Sequence, residues 1–572
     1  MEPLSDAAKY VLRFVNQTNR SIFLTGKAGT GKTTLLKEII STTHKNTVVL
    51  APTGIAALNA AGVTIHSMFQ LPFAAFIPDV NAIPPLSSEA RFETRATLRR
   101  HFKVSGLKKA VIRNMQLLVI DEVSMLRADL LDAVDFMMQS VRKNGQPFGG
   151  VQVLYIGDLL QLPPVIKNDE WNVLRRYYHG KFFFHSHAVL RDAPLYVELS
   201  KIYRQSDTDF IEILNNLRNN RISDNDLQIL NAFVDPHFNL QNNPGYITLT
   251  THNAKADAIN YKALDDLAGE IFTYAPEIIG DFPDKIFPVD PALRLKIGAQ
   301  IMFIKNDPSP AKNFFNGKTG IVKSLSDAEI LVHFPEENLT IEVERYEWQN
   351  IRYYVDSNTK DVAEEVLGTY VHYPIKLAWA ITVHKSQGLT FDRAALDVSQ
   401  VFQPGQAYVA LSRLRSLKGL ILLSPLQMNG IENDSDVVRY AESKVDPDDL
   451  EPSLQIETRK YVHQYLRNAF DWSNLVQEWR NHKFSYDDDV KNSEKAKSKK
   501  WAQHHLETIE QLIPTSLGFL AQIDRIFKSD APDLKLLTAR VDAAVNYFLP
   551  IHDGVVGELL TKIELIRQAK KN

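Results

Sequence analysis

The segment that most constrains the fold of this chain is a glycine-rich octapeptide, residues 26–33, which reads G-x-x-x-x-G-K-T. It follows an apolar run typical of a buried strand, Ile22–Leu24, and precedes a stretch of helix formers. In this setting the glycines let main-chain N–H groups surround a polyphosphate, the lysine reaches the outer phosphates, and the threonine hydroxyl binds Mg²⁺. The sequence therefore predicts a nucleotide site in which Lys32 also acts in catalysis and Thr33 holds the metal. Its residues are Gly26, Gly29, Thr30, Gly31, Lys32, Thr33 and Thr34.

Composition excludes several other kinds of site. The chain has 572 residues, enough for about three to five domains, and contains no cysteine. Disulfide frameworks, thiolate metal sites and cysteine nucleophiles are therefore excluded. The net charge is −3, so a nucleic-acid surface would have to be locally basic. Because the sequence has neither a long apolar run nor a leader-like N-terminus, we expect no membrane partner and a cytoplasmic location, associated with the nucleoid in a bacterium, or a nuclear location in a eukaryote.

Two further strand patterns end in polar residues. The apolar run Leu117–Ile120 is followed by Asp121 and Glu122, and the run 151–156 leads into Gln161. Because the carboxyl ends of parallel strands meet at one edge of a sheet, these side chains are expected beside the phosphate loop. There Asp121 would hold Mg²⁺ through water, Glu122 would polarise the attacking water, and Gln161 would hydrogen-bond the γ-phosphate.

Seven segments resemble the ordered motifs of superfamily-one DNA helicases. They are residues 26–33, 51–57, 64–67, 120–125, 157–164, 383–388 and 408–413. A further segment, from Met125 to Gly150, resembles the signature element that separates Pif helicases from the related RecD motors. Over about residues 1–425, the chain thus resembles the petite-integration-frequency (Pif) family, a superfamily-one B group related to RecD and Dda.

The resemblance implies an α/β fold with two RecA-like parallel-sheet lobes. The second lobe has no phosphate loop of its own, so nucleotide would lie between the lobes, where the resemblance points to Arg204 and Arg413 as arginines that complete the site. The implied activity is ATP hydrolysis with Mg²⁺ that drives a DNA helicase along single-stranded DNA, 5′ to 3′. Single-stranded, tailed and forked DNA would be its substrates, and DNA replication, repair or recombination its setting.

Candidate DNA contacts lie in motifs of both lobes. Their hydroxyl, imidazole and ammonium groups follow predicted strand ends, where they would bind phosphates without reading sequence. In the first lobe they are Thr53, His66 and Ser67, and in the second Thr382, His384, Lys385, Ser386 and Gln387.

The predicted domains are a first lobe over 1–200 with a wedge insertion at about 70–106, and a second lobe over 201–425 with an SH3-like β-barrel insertion at about 291–373. A linker over 426–452 and a C-terminal helical bundle of unknown role over 453–572 follow. Phe76 in the wedge is a candidate for stacking on a base, the alternative being an aromatic packed under its own loop. Deletion after about residue 430 is expected to spare DNA-stimulated hydrolysis.

Three functions remain open at this point. The chain is a translocating helicase, a binding module that ATP merely gates, or the motor subunit of a nuclease complex. Glu122 and the two arginines favour turnover over gating. A monomer is expected, with the C-terminal bundle as a possible site for a protein partner. The family's adenine-reading glutamine is absent from residues 4–8, which leaves Asn16 and Gln17 as possible substitutes.

Overall fold

A computed structural model describes most of the chain. The described residues are 4–80, 82, 90–101, 104–205, 207–240, 243–309, 312–356, 359, 361–397, 405–426, 434–484, 498–529 and 532–569. They fall into two compact units, one of residues 4–16 and 20–449, and one of residues 450–569 together with 17–19.

The first lobe is built on a parallel sheet. Its strands are β1 (Ile22–Gly26), β2 (Thr47–Ala51), β3 (Val63–Thr64), β4 (Ala75–Ile77), β5 (Phe92–Thr94), β6 (Leu117–Ile120), β7 (Gln152–Ile156) and β8 (Leu195–Leu199). Six of them form one sheet in the order β3-β2-β6-β7-β1-β8, and β4 pairs with β5 in the wedge. The strands of the six-stranded sheet are mostly apolar, as is typical where helices cover both faces of a parallel sheet. Those helices are α1 (Asp6–Gln17), α2 (Lys32–Thr42), α3 (Gly54–Asn59), α4 (Ile65–Phe69), α5 (Arg95–His101), α6 (Gly106–Asn114), α7 (Ala128–Arg142), α8 (Asn168–Leu174) and α9 (His187–Arg191).

The second lobe and its insertion alternate helices with short strands. The strands are β9 (Ile247–Thr250), β10 (Phe272–Tyr274), β11 (Glu277–Gly280), β12 (Leu293–Leu295), β13 (Gln300–Phe303), β14 (Thr319–Leu325), β15 (Ile330–Phe334), β16 (Leu339–Glu342), β17 (Tyr346–Val355), β18 (Val362–His372), β19 (Ile375–Leu377), β20 (Ala380–Thr382), β21 (Ala394–Leu396) and β22 (Leu420–Leu422). Four of them form a parallel sheet in the order β20-β9-β21-β22. The helices are α10 (Thr208–Arg218), α11 (Asp224–Asn231), α12 (Asn253–Asp266) and α13 (Gln406–Leu411). The prediction of two parallel-sheet lobes is confirmed.

The inserted β-region is larger than its predicted bounds. One antiparallel sheet has the order β16-β15-β14-β13-β19, and a second joins β11 to the long hairpin of β17 and β18. A short third sheet pairs β10 with β12. Strand pairing therefore begins before residue 291, because β10 starts at Phe272, and continues past residue 373, because β19 ends at Leu377. Short alternating strands predict a β-region well, but a partner strand that is distant in sequence gives no local signal.

The β17–β18 hairpin reaches back to the first lobe. The main-chain N–H of Val49 donates to the Tyr353 hydroxyl over 3.3 Å, and the N–H of Val362 donates to Asn46 Oδ1 over 3.0 Å. Tyr353 is buried in the apolar core of the first lobe. The insertion of the second lobe is thus anchored on the sheet of the first.

A helix also returns to the first lobe after the second lobe ends. This helix, α14 (Ser435–Ala441), stacks Tyr440 on Phe184, with ring centroids 4.2 Å apart and planes inclined by 7°. The N–H of Val445 then donates to the carbonyl of Tyr196 in the edge strand β8 over 3.0 Å. The predicted linker is therefore wrong for residues 434–445, where an aromatic stack and a main-chain hydrogen bond replace the expected solvated chain.

The C-terminal unit is helical, as predicted. It contains α15 (Leu450–Phe470), α16 (Ser473–Phe484), α17 (Lys499–Glu510), α18 (Ile513–Lys528) and α19 (Leu534–Ala569). Trp472 and Trp479 lie in its apolar core. The lysines at 491, 495 and 497 lie outside the described residues. Within the part of the chain that is described, no helix has both the length and the apolarity needed to cross a bilayer.

Candidate nucleotide and nucleic-acid sites

The phosphate loop joins β1 to α2. Gly29 and Gly31 both have φ of 82°, in the left-handed region that favours glycine. Gly31 is the N-cap of α2 and no side chain caps this helix end, so the first main-chain N–H groups of α2 remain available to an anion. Thr33 and Thr34 are exposed in that first turn.

Two side chains brace the loop. The Lys32 ammonium donates to the carbonyls of Gly26 over 2.6 Å and of Lys27 over 3.1 Å, and burial lowers the pKa of Lys32. The hydroxyl of Thr30 donates to the same Lys27 carbonyl over 2.9 Å. Thr30 is 3% exposed, so its side chain stabilises the loop and cannot itself reach a phosphate.

The acidic pair ends β6 in an unusual backbone conformation. Glu122 has φ of 52°, a left-handed value that costs energy for a residue with a side chain. Its N–H donates to Asp121 Oδ1 over 2.9 Å. Burial, and then the nearby charge of Asp121, raise the pKa of Glu122 to about 7. A carboxylate with raised proton affinity suits a general base.

Asp158 links the acidic edge of the first lobe to cations and to the second lobe. It accepts from Arg218 over 3.1 Å, from the Tyr408 hydroxyl over 3.4 Å and from Gln161 Nε2 over 3.3 Å. Burial alone would raise the pKa of Asp158, but Arg218 and Lys32 hold it below its usual range. Gln161 is thereby fixed beside a buried carboxylate.

The two arginines predicted from the second lobe meet at Ser412. Arg413, 2% exposed, donates to the carbonyl of Val409 over 2.9 Å and to Ser412 Oγ over 3.0 Å. Arg204 donates to the carbonyl of Ser412 over 3.2 Å. Burial, and then the charge of Arg413, lower the pKa of Arg204 to about 9, which still leaves it charged at neutral pH.

The lobes approach each other closely around these groups. A Cβ on Gly29 would lie 2.4 Å from the Cβ of Arg204, and a Cβ on Gly405 would lie 2.5 Å from the carbonyl oxygen of Gln161. Gly405 also has φ of 80°. The main-chain N–H of Ala28 donates to the Tyr408 hydroxyl over 2.9 Å. Both glycines are required, because any side chain there would force the lobes apart.

This cleft fits a magnesium nucleotide. It presents an uncapped helix N-terminus and three cations, Lys32, Arg204 and Arg413. Burial lowers the pKa of each cation, and a bound anion would raise it again. The Thr33 hydroxyl and the Asp121 carboxylate are hard oxygen donors of the kind that Mg²⁺ prefers. No cluster of three or more His, Asp or Glu suited to a metal occurs among the described residues, so phosphate oxygens would have to complete the metal's shell.

Comparison with known proteins agrees with this geometry. A model of the PIF1-like helicase family matches residues 4–228, and a model described as DNA helicase, middle domain, matches residues 453–572. The human ATP-dependent DNA helicase PIF1 is 35% identical over 427 residues, which are 73% of this chain but only 60% of the human protein. Pif1 of Bdellovibrio bacteriovorus is 30% identical over 71% of this chain and 85% of its own length. The crystal structure of Bacteroides sp. Pif1 with ADP-AlF4 is 38% identical, covers 77% of this chain and 97% of its own, and has a TM-score of 0.69.

This chain belongs to the Pif1-like helicase family. The signature segment of the Pif1-like chain forms α7 and the loop after it. Three carboxylates of α7 are buried, and each accepts main-chain N–H groups from a different segment of the first lobe. The acceptors are Asp129 for Phe76, Asp132 for His187 and Ala188, and Asp135 for Phe148. The signature therefore fixes three segments of the first lobe: the wedge strand β4, the start of α9 and the turn at Phe148.

The DNA candidates of the first lobe lie at the surface. Thr53 and Ser67 are exposed, although Thr53 Oγ1 also caps α3 by accepting from the Ala56 N–H over 3.3 Å. His66 stacks on Phe73, with ring centroids 4.5 Å apart and planes inclined by 18°. Phe73 is 79% exposed. Sequence reasoning missed Phe73 because nothing local distinguishes it from other aromatics of the wedge.

The proposed base-stacking role of Phe76 is wrong. Phe76 is 2% exposed and stacks on Phe136 of α7, with ring centroids 6.2 Å apart. Arg95 and Arg99 from the basic run of the wedge lie over the same Phe136 ring. The alternative, a packed aromatic, is correct in that the ring is buried, but it packs on α7 and not under its own loop.

The candidates of the second lobe divide into two groups. Lys385 is exposed and His384 half-buried, as a phosphate contact requires. Thr382 is 3% exposed and Ser386 is 0% exposed; Thr382 Oγ1 accepts from the Lys385 N–H, and the Ser386 hydroxyl donates to the carbonyl of Val383. The prediction that Thr382 and Ser386 bind DNA directly is therefore wrong, because both hydroxyls hold the loop together from inside.

Gln387 is also not at a DNA surface. Its Nε2 donates to Glu122 Oε2 over 3.0 Å and lies 3.4 Å from Gln161 Oε1. The prediction of a DNA contact is wrong for this residue, which belongs to the nucleotide cleft. No local pattern in the sequence could have paired residues that are 265 positions apart.

The suggested adenine contacts are misplaced as well. α1 ends at Gln17, shortly before β1 begins, and Gln152, the first residue of β7, donates to the carbonyl of Phe14 over 3.2 Å. Asn16 therefore lies at the edge where the strands begin, whereas the phosphate loop follows the opposite edge. Asn16 is not a substitute for the missing glutamine, and neither is its neighbour Gln17.

Proposed function

We propose that this chain is an ATP-dependent DNA helicase that moves along single-stranded DNA, 5′ to 3′, in DNA replication, repair or recombination. One observation carries the proposal: Lys32 and Glu122 of the first lobe share a cleft with Arg413 of the second. A cleft whose parts come from two lobes can only be complete when the lobes are closed. The chain spans about 60% of the human relative's length, so activity and substrates are proposals for this chain.

Each residue of the cleft has its own role in ATP hydrolysis. Glu122 accepts the proton of the attacking water, and Lys32, Arg204 and Arg413 stabilise the charge that grows on the γ-phosphate oxygens. Arginines in this role contribute about 10³–10⁵ in rate. When bound, Mg²⁺ held through Thr33 and Asp121 would neutralise charge on the β- and γ-phosphates. Gln161, fixed by Asp158, reports whether the γ-phosphate is present.

The same cleft can couple hydrolysis to movement. Gly29 and Gly405 let the main chains of the two lobes come into close contact on the two sides of the cleft. We therefore expect the cleft to close and open as a unit. DNA contacts on both lobes would then be brought together and separated once per cycle. Bacteroides Pif1 has been crystallised bound to single-stranded DNA, and another Pif1 structure concerns the unwinding of forked duplex DNA by two coordinating helicases, which supports these substrates.

The exposed Phe73 and the half-buried His66 form a flat platform on the first lobe. Stacking of a base on an aromatic ring contributes about 1–3 kcal/mol without reading sequence. We assign the base-stacking role to Phe73, with Thr53, Ser67, His384 and Lys385 as phosphate contacts.

The test is ATP hydrolysis with and without single-stranded DNA, followed by unwinding of duplexes with 5′ or 3′ tails. We expect strong stimulation by DNA and unwinding of 5′-tailed duplexes only. Lys32→Ala should abolish both activities while single-stranded DNA still binds. Turnover that ignores DNA would favour a switch that ATP gates, and retained turnover in Lys32→Ala would remove the phosphate loop from the mechanism.

Assembly and location follow from the same proposal. A monomer suffices, because every group of the cleft comes from one chain, and sedimentation of the chain on a short oligonucleotide tests this. The helical unit from Leu450 onward is the proposed site for a protein partner. The protein would act where DNA is, in the nucleoid of a bacterium or the nucleus of a eukaryote.

A further inference from the structure

The side chain of Gln387 connects the two lobes at the hydrolytic residues. Its amide nitrogen lies 3.0 Å from Glu122 Oε2 and 3.4 Å from Gln161 Oε1. The NH₂ group of Gln387 faces both oxygens as the donor. One side chain of the second lobe thus engages both the proposed base and the proposed γ-phosphate sensor.

The loop that carries Gln387 also carries the exposed Lys385. Internal hydrogen bonds make residues 382–389 one stiff piece: Ser386 Oγ donates to the carbonyl of Val383 over 2.7 Å, and the Gln387 N–H donates to the carbonyl of His384 over 3.3 Å. The loop then turns at Gly388, which has φ of 80°. A phosphate that binds Lys385 therefore moves Gln387 with it.

We propose that Gln387 is a positioning residue. Until DNA binds the 382–389 loop, its amide holds both Glu122 and Gln161 and keeps them from acting on the attacking water and the γ-phosphate. The inference rests on the proposed helicase function and explains how DNA stimulates hydrolysis. The donated hydrogen bond stabilises the charged form of the Glu122 carboxylate and so makes it a weaker acceptor for the proton of the attacking water. DNA at Lys385 withdraws the amide, and the base is released.

The test replaces the amide without changing the size of the side chain. Gln387→Met keeps the length of the side chain but cannot donate a hydrogen bond. Since a hydrogen bond to a charged group contributes about tenfold or more, the DNA-free kcat should rise about tenfold. KM for ATP and the kcat at saturating single-stranded DNA should stay within about twofold of wild type. Gln503→Met, on an exposed face of α17, is the matched control and should change none of these values.

Other outcomes distinguish the possible failures. If Gln387→Met lowers kcat equally with and without DNA, Gln387 merely orients Glu122 and the inference is wrong. If wild type is stimulated by DNA and the variant behaves like wild type, only the inference fails; if wild type ignores DNA, the helicase proposal itself fails. Gln387→Asn, one methylene too short to reach, provides a second variant should the methionine disturb folding, and its DNA-free kcat must also rise. Adding Glu122→Gln must abolish the extra hydrolysis if it comes from this cleft.

Discussion

Replacing Tyr440 by alanine is expected to destabilise the first lobe, although this residue follows the second lobe in sequence. Its ring contacts four aromatic rings of the first lobe, with centroid distances of 4.2 Å to Phe184, 5.5 Å to Tyr196, 6.0 Å to Phe23 and 6.1 Å to Phe183. Truncating a packed aromatic side chain to alanine costs about 3–5 kcal/mol, because it removes apolar burial and leaves a cavity. The strands β1 and β8 carry two of these partners and should lose protection first.

Hydrogen exchange of the full chain, followed by mass spectrometry, measures this loss locally. A cost of about 3 kcal/mol corresponds to roughly 10²-fold faster exchange of amides that open with the lobe. Peptides from β1 and β8 are the reporters. Tyr440→Phe keeps the ring and should change their exchange by less than about tenfold. Arg439→Ala, whose side chain is 75% exposed, is the neighbouring control and should behave as wild type.

Equal exchange in Tyr440→Ala and Arg439→Ala would refute the reasoning, because the aromatic contacts would then contribute no stability.

The contacts of Tyr440 also determine where the chain can be shortened. A chain that ends after Asp449 keeps α14 and should retain DNA-stimulated hydrolysis. A chain that ends after about residue 430 loses Tyr440 and the Val445 hydrogen bond to β8, and should lose soluble expression or activity. The expectation from sequence that the shorter chain remains active is thereby reversed.

Three further predictions concern the sites and the core. Glu122→Gln should bind ATP but reduce kcat by more than about 10²-fold, since the proton acceptor is lost; trapping of labelled nucleotide measures this, and wild-type turnover would exclude Glu122 as the base. Phe73→Ala should weaken binding of single-stranded DNA by about 1–3 kcal/mol in fluorescence anisotropy without loss of thermal stability, whereas Phe76→Ala should lower stability instead. Burial lowers the pKa of Lys45 to about 7, so the unfolded chain binds more protons than the folded chain between pH 7 and 10.5. Stability should therefore rise with pH in this window, and Lys45→Met should remove the rise in urea midpoints measured at pH 7 and 9.

Much of the nucleotide site could be predicted because its chemistry is local. The phosphate loop needs glycines at left-handed positions, a lysine and a hydroxyl within eight residues, and Gly29, Gly31, Lys32 and Thr33 supply them in sequence order. Strand ends of a parallel sheet meet by geometry, so the positions of Asp121 and Gln161 followed from apolar runs alone. For Arg413 the resemblance was needed, because nothing in its own neighbourhood indicates a partner in another lobe.

The wrong predictions share one physical cause. Phe76, Ser386 and Gln387 carry groups that suit DNA, but the fold uses them for contacts within the protein. Phe76 packs on Phe136, Ser386 closes its own turn, and Gln387 crosses to Glu122. Side-chain chemistry predicts what a residue can bind, whereas burial decides what it does bind, and burial depends on the whole fold.

The signature helix α7 is the clearest case of a pattern whose meaning depends on partners. Asp129, Asp132 and Asp135 recur every three residues, a spacing that usually indicates a solvated helix face. All three are nonetheless buried, which is tolerable only because main-chain N–H groups donate to each carboxylate. Burial raises the pKa of Asp132 and Asp135, while the donated hydrogen bonds oppose that rise. The loops that they hold carry β4, α9 and the turn at Phe148, so the signature connects the wedge to the sheet that ends in Asp121 and Glu122. A helix with buried carboxylates can in this way set the positions of the segments that surround it.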